Sequence, residues 1–228
     1  MTRLIRWKFR LASYLMSLGR DSFIRSLPPR AAVFDVGCGN NSPDRVKTLR
    51  PDVHYVGLDI SDYNQSPTSF NSADEYVIVR PDHFPRAIES RKGQFDAVIS
   101  SHNLEHCEEP WAVLEAMLSA LKNGGRIYLS FPSEQSVAFP SRSGTLNFTD
   151  DPTHRFLPPF DKITDYILSR GFSIRASSRR YRPSILFFLG LLLEPFSMLT
   201  KRNMPFGVTW ALYGFESVIW ASKKSTAA

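Results

Sequence analysis

At 228 residues the chain suits one sizeable core with additions rather than several domains. Its 43% apolar content, with 17 Phe and 4 Trp, argues for a well-packed globule, and its two cysteines exclude a disulfide scaffold and point to a reducing, cytoplasmic setting. The net charge of +6 is unevenly spread: residues 1–30 and 171–228 together carry +12 and residues 31–170 carry −6, so the basic ends, mixed with large apolar residues, fit an anionic membrane surface or anionic substrate as well as a nucleic acid.

Residues 2–20 have helical periodicity. Arg3, Arg6, Arg10, Ser13, Ser17 and Arg20 form a polar stripe opposite Leu4, Ile5, Phe9, Leu11, Leu15 and Leu18. Arg and Lys interrupt the apolar residues and no small-residue cleavage site follows, so this is not a secretory signal. Two readings stand: a helix packed on the domain, or an interfacial helix whose basic face meets anionic lipid. Leu27-Pro28-Pro29-Arg30 is a stiff connector, which sets residues 1–30 apart from a main domain over 31–228.

The main domain opens on an apolar run, Ala31 to Phe34, that leads through Asp35-Val36 into Gly37-Cys38-Gly39. A strand, a Gly-x-Gly turn and a helix over Pro43–Leu49 make a ligand cradle, because glycine lets backbone approach closely and a helix start offers unpaired N–H groups. Cys38 reads as a small buried side chain within the turn, since no activating base lies beside it. His54–Leu58 is a second strand ending in Asp59-Ile60. Asp59 lies 20 residues after Gly39, the spacing that puts a carboxylate at the next strand tip within reach of ribose hydroxyls. Residues 61–74 read as polar loop. Glu75–Val79 is a third strand, Arg86–Lys92 a helix, and Gln94–Ser100 a fourth strand apolar enough to be central. A helix over Pro110–Leu121 closes on Lys122-Asn123-Gly124-Gly125, and Arg126–Phe131 is a fifth strand. Regular alternation of strand and helix predicts an α/β fold, a doubly wound, mostly parallel sheet with its ligands at the carboxyl ends of the strands.

The runs DVGCG, VGLDIS, GQFDAVISSHNLEH and LKNGGRIYLSFP, in this order, resemble the class I S-adenosylmethionine-dependent methyltransferases, and most of all their small-molecule group. The resemblance covers about Val33 to Phe172. It implies a Rossmann-like seven-stranded sheet whose antiparallel last strand, Glu216–Ala221, inserts between strand five and strand six (Phe172–Ala176). It also implies S-adenosylmethionine as cofactor. The residues agree: Asn40-Asn41-Ser42-Pro43 offers no third glycine for a pyrophosphate, which this cofactor lacks, and an acidic middle suits a sulfonium cation.

By that resemblance Asp35, Gly37, Cys38 and Gly39 form the loop beneath the methionine part, Asp59 and Ile60 lie at the ribose, and Asp82 with His83 lies at the adenine. Ser100 and Ser101 face the amino-acid tail or the transferred methyl. The chain has Ser-Ser-His-Asn where family members acting on nucleobase or amide nitrogen carry an Asn/Asp-Pro-Pro-Tyr/Phe run, which counts against those acceptors. Residues 132–160 read as a substrate loop. Its Asp151-Pro152-Thr153-His154 resembles runs that lie over the methyl-transfer site, so His154 is a candidate general base, with His102 a second candidate. The alternative is that His154 only orients its loop. Scattered histidines make no metal cluster, so no metal is expected.

Phe160–Arg170 is a helix ended by Gly171. The departure from the family is an apolar insertion over 177–215, in which Ile185–Leu193 is strongly apolar but for Gly190, Glu194-Pro195 breaks the run, and arginines and lysine flank it. It is too short to span a bilayer. It walls the substrate pocket or, with residues 2–20, touches the cytoplasmic face of a membrane as a peripheral anchor. The function expected is methyl transfer from S-adenosylmethionine to a small or lipid-like acceptor, foremost at oxygen. RNA methylation, drawing on the basic ends, and a non-catalytic scaffold of the same fold are the alternatives; no RNA-binding module is recognisable.

Overall fold

The first strand pairs with strands on both sides, and that pairing sets the architecture. The computed structural model describes residues 18–225, so the expected helix over 2–20 lies, except for its last three residues, outside the described residues. β1 (Ala32–Val36) runs parallel to β2 (His54–Asp59) and to β4 (Phe95–Ser101), with Asp35 facing Gly57 on one side and Ile99 on the other. β3 (Glu75–Ile78) extends the sheet beyond β2. β5 (Leu121–Pro132) is parallel to β4, and β7 (Glu216–Lys223) lies antiparallel between β5 and β6 (Phe172–Ser178). The order is β3-β2-β1-β4-β5-β7-β6, seven strands with the last inserted antiparallel, as the resemblance implies.

Alternation along the strands sends side chains to two layers. Phe34, Val98, Ile127 and Ile219 face α4 (Phe84–Glu89), α5 (Pro110–Ala120) and α6 (Phe160–Ser169). Val33, Tyr55, Ile99, Tyr128 and Val218 face α1 (Arg20–Arg25) and α2 (Ser42–Leu49). The segment before α1 docks through Trp220, whose Nε1 donates to the Leu18 carbonyl at 2.9 Å.

Three local readings are corrected. Residues 61–74 are not all loop: α3 (Pro67–Phe70) forms there, started by Pro67 in its first turn and by Ser66, whose hydroxyl accepts the Ser69 N–H. The glycines of Lys122–Gly125 do not cap α5. Leu121 is already extended and pairs with Phe95, so Gly124 and Gly125 sit at a register shift inside β5. A side chain at Gly125 would lie 2.9 Å from the Lys122 carbonyl oxygen, which is why the irregularity takes glycine there.

Pro195, finally, does not break the insertion helix. α7 (Ser184–Thr200) runs through it, because polar anchors grip both sides of the lost backbone bond. Buried Arg142 holds Glu194 with two bonds of 2.9 and 2.6 Å and also donates to Ser197 Oγ at 2.6 Å, while the Tyr213 hydroxyl donates to Glu194 at 2.6 Å. α7 crosses α8 (Val208–Tyr213) at Gly190, where a Cβ would lie 2.6 Å from the Val208 carbonyl and 2.8 Å from Leu212 Cβ. Gly190→Val forces these helices apart at a cost of about 1–3 kcal/mol, which should lower the calorimetric melting temperature by roughly 2–10 °C. An unchanged midpoint would mean that the insertion is not seated here.

Candidate active site

The carboxyl ends of β1, β2 and β4 meet at one edge, and the glycine turn lies across it. Gly37 has φ +77°, and a Cβ there would come within 2.6 Å of the Asn103 side chain. Asn40 and Asn41 follow in left-handed geometry, which asparagine tolerates. The turn is latched from the segment after β2: Gln65 Nε2 donates to the Cys38 carbonyl at 2.7 Å, Ser66 N–H to Asn41 Oδ1 at 2.7 Å, and Asn40 N–H to the Tyr63 carbonyl at 3.0 Å. Asn103, Gln65 and Tyr63 were not legible as site residues, because their role is to meet a loop distant in sequence.

Asp35 is fully buried beneath the turn. Its Oδ2 accepts from the Tyr55 hydroxyl at 2.8 Å and from Ser42 Oγ, while Oδ1 has no partner. Burial pushes its carboxyl above the ordinary range, against the Arg20 charge and these two hydrogen bonds. Its role is to stiffen the turn from below. Cys38 is also buried, and burial with the Asp35 charge raises its thiol far above the usual range. Only the backbone of Cys38 can meet a ligand.

Asp59 stands at the tip of β2. Burial raises its carboxyl, opposed by the Ile60 and Gly39 backbone N–H groups and reinforced by the Asp35 charge. Oδ1 accepts the Ile60 N–H at 2.7 Å, and Oδ2 lies 3.6 Å from where a Gly39 Cβ would stand. The Tyr63 ring and carbonyl oxygen are nearer still, each 3.2 Å from that point, so Gly39 lies close between Tyr63 and Asp59. Ile60 is half-exposed next to it, and Asp82 and His83 lie on an exposed turn that follows β3, the strand paired with β2. Ser100 is buried and within 3.4 Å of Asn103 Nδ2, and Ser101 shares a 2.9 Å hydrogen bond with Ser130, so both hydroxyls are engaged with the protein itself.

His102 does not have the character of a general base. It follows directly on β4 with φ +51°, and its ring centroid is 5.0 Å from that of Trp210 and 6.1 Å from that of Phe215. Nδ1 lies 3.0 Å from Glu105 Oε1 and Nε2 lies 3.4 Å from Glu216 Oε1. Burial alone would favour the neutral ring, but the two carboxylates more than offset it and raise the pKa to about 10. At neutral pH His102 is an imidazolium clamped between the short turn at Leu104–His106 after β4 and the start of β7, and it has no free lone pair to take a proton.

The expectation that the histidines form no cluster is also corrected. The loop after β5 folds back so that the Arg155 and Phe156 N–H groups both donate to the Glu105 carbonyl, at 2.8 and 3.2 Å. This sets His154 beside His106, with ring centroids 4.9 Å apart. A Glu105 carboxylate oxygen and one nitrogen from each of His106 and His154 lie within 4.8 Å of one another. His154 Nδ1 is 2.6 Å from the Phe148 carbonyl, which can only accept, so Nδ1 carries the proton and Nε2 keeps its lone pair.

The chain is similar to known proteins in sequence and in fold. Residues 34–127 match the family model described as a methyltransferase domain. A ubiquinone biosynthesis O-methyltransferase of Marinobacter nauticus is 28% identical over 154 residues, covering 62% of this chain and 63% of that enzyme. One of Xanthomonas axonopodis is 29% identical over 119 residues, with 49% and 47% covered, so the chain spans half to two thirds of these relatives. In fold it is similar to an S-adenosylmethionine-dependent methyltransferase of Mesorhizobium loti, with a TM-score of 0.55 at 16% identity over 93% of this chain and 98% of that one. Residues 34–127 thus carry a methyltransferase domain, on a sheet with the strand order of the class I S-adenosylmethionine-dependent methyltransferases, and S-adenosylmethionine is the cofactor of that class. The residues fit it: the glycine turn and the Asp59 carboxylate, the groups that would hold the methionine part and the ribose, meet at the carboxyl edge of the sheet.

Two outcomes are expected. Asp59→Ala should weaken S-adenosylmethionine binding at least about tenfold by calorimetry, the loss of a charge-assisted hydrogen bond of roughly 1.5–3 kcal/mol; unchanged affinity sinks the ribose assignment. The His102 clamp should show in pH-dependent melting. Its folded pKa near 10 exceeds the ordinary 6.5, so its stabilisation is full below pH 6.5 and is lost as pH rises through 10. The stability gap between the native chain and His102→Gln should therefore narrow across that window, and a constant gap contradicts the clamp.

Proposed function

We propose that the chain transfers the methyl group of S-adenosylmethionine to an oxygen of a small, amphiphilic acceptor. The observation that carries this is the Asp59 carboxylate at the tip of β2, set beside Gly39 of the glycine turn at the carboxyl edge of the sheet. The relatives named for O-methylation favour oxygen. When bound, the cofactor supplies an electrophilic methyl on a sulfonium centre, which is left a neutral thioether. In this reading the chain does the rest by positioning: Gly37 to Gly39 cradle the methionine part, Asp59 accepts from the ribose hydroxyls, and Ile60, Asp82 and His83 border the adenine. Ser100 and Ser101 shape the floor beneath the amino-acid tail. His154, with its Nε2 lone pair turned out by the Phe148 carbonyl, handles the acceptor hydroxyl's proton. A labelled methyl donor incubated with lipid and metabolite extracts should mark one apolar or amphiphilic product, and His154→Ala should cut turnover at least about a hundredfold, in line with general-base catalysis, with cofactor affinity intact. Labelling of RNA alone would overturn the reading.

A specific observation favours membrane contact as well. α7 exposes Phe188, Leu191, Leu192, Phe196 and Leu199, and Phe206 beyond it is 80% exposed, with Lys201 and Arg202 exposed between them. No helix among the described residues is long and apolar enough to cross a bilayer, which leaves a helix lying in its interface. Such a surface on the cytoplasmic face would collect a lipid-like acceptor beside the site. The chain should float with anionic vesicles and less with zwitterionic ones, and Leu192→Glu with Leu199→Glu should abolish flotation; flotation unaltered by the pair counts against this face. Deleting residues 1–20 tests the other expected anchor separately.

A further inference from the structure

The cluster at the end of β4 has features that proton transfer by a single histidine does not need. Glu105 is fully buried, and His102 takes its Oε1. Its Oε2 has no partner, although a buried carboxylate oxygen without one is costly. His106 Nδ1 lies 2.9 Å from Thr153 Oγ1. The single Thr153 hydroxyl proton goes to Asp151 Oδ1 at 2.6 Å, so Thr153 accepts and His106 Nδ1 is the donor. His154 Nδ1 donates to the Phe148 carbonyl by the same logic. Both rings therefore hold their Nδ1–H in a hydrogen bond and carry a lone pair on Nε2, the arrangement that outer partners impose on metal-bound imidazoles.

We propose that Glu105, His106 and His154 bind one divalent transition-metal cation through Glu105 Oε2 and the two Nε2 atoms. Two imidazoles and one carboxylate are the donors that zinc takes when a fourth position stays open for water or substrate. Around a tetrahedral zinc with bonds of 2.0–2.2 Å the ligand atoms stand roughly 3.4 Å apart. One donor atom from each of the three residues already lies within 4.8 Å of the other two, so a small adjustment of the side chains closes the shell. Backbone bonds from Arg155 and Phe156 to Glu105 hold the two halves of the site in register. Both histidines are only partly buried, which keeps the open position accessible. The site deepens the methyl-transfer reading and rests on it for its role alone. With the metal bound, His154 Nε2 is a ligand and acts on the acceptor's proton through the metal instead of taking it directly. An acceptor hydroxyl at the open position then loses its proton to water more readily, its oxygen forms the O–CH3 bond as the S–CH3 bond breaks, and sulfur leaves as the neutral thioether.

The test uses the untagged full chain, stripped with a chelator and titrated with Co2+ and Zn2+. One equivalent per chain should bind, with the visible absorption of Co2+ in a low-coordinate nitrogen and oxygen site. His106→Asn and His154→Asn should each weaken binding at least about tenfold, and Thr153→Val, which touches no metal, roughly tenfold, within the range for outer-partner losses. Glu105→Gln also unpairs His102, so the two histidine variants carry the test. S-adenosylmethionine affinity, measured on the same samples, should be unchanged. Absence of saturable one-to-one binding, or binding undiminished in both histidine variants, overturns the site. With cofactor affinity intact, that failure leaves the methyl-transfer reading standing; lost cofactor binding beside intact metal binding does the reverse.

Discussion

The parallel pairing of β1 with both β2 and β4 is the constraint from which the site follows. Once Asp35 faces Gly57 and Ile99, the chain leaves all three strands at the same edge, and the glycine turn, Asp59 and the Ser100–Asn103 corner have to share it. Close packing at that edge explains the residue types. Gly37 has no room for a side chain against Asn103, Gly57 none against Cys38 Sγ at 2.7 Å, and Asp35 and Tyr55 bury their polar atoms against each other. The turn is rigid because it is held from below by Asp35 and from the side by Gln65 and Ser66.

The second organising feature is buried charge. His102 draws Glu105 and Glu216 together, and in doing so ties the end of β4 to the start of the inserted antiparallel strand. Glu105 divides its two oxygens: one neutralises the imidazolium, and the other is buried without a partner. The difference between the three histidines lies in their surroundings. Two carboxylates lock the first as a cation, while a carbonyl and a hydroxyl leave the other two with a lone pair each.

The insertion shows how a charge count divides once the chain folds. Of the basic residues in the C-terminal flank, Arg179 pairs with Asp161, and Arg180 and Arg182 both donate to the Tyr213 carbonyl, so they hold α8 and β6 in place. Arg142, from the preceding loop, is spent on Glu194. Lys201 and Arg202 remain exposed next to the apolar side of α7. An apolar helix that stayed hydrophobic nearly all round was expected to be broken at Pro195. It persists because its polar anchors, not its backbone bonds alone, hold that stretch.

The sequence by itself determined the alternation of strands and helices, the glycine turn and the place of Asp59 at the next strand tip, because these rest on local patterns: apolar runs, glycine in a turn and a fixed spacing. The antiparallel last strand followed from the resemblance and not from any local pattern. It also marked the insertion by its composition. Only the tertiary structure decided the parts that depend on approach between distant segments. α3 and the Gln65 latch look like polar loop until they meet the glycine turn. His102 looks like a free imidazole until Glu216, 114 residues away, reaches it. His106 and His154 look scattered until two N–H groups fasten the loop to Glu105. The charge state of a histidine and the partners of a carboxylate are properties of their surroundings, and in this chain those surroundings are assembled from residues that the sequence keeps far apart.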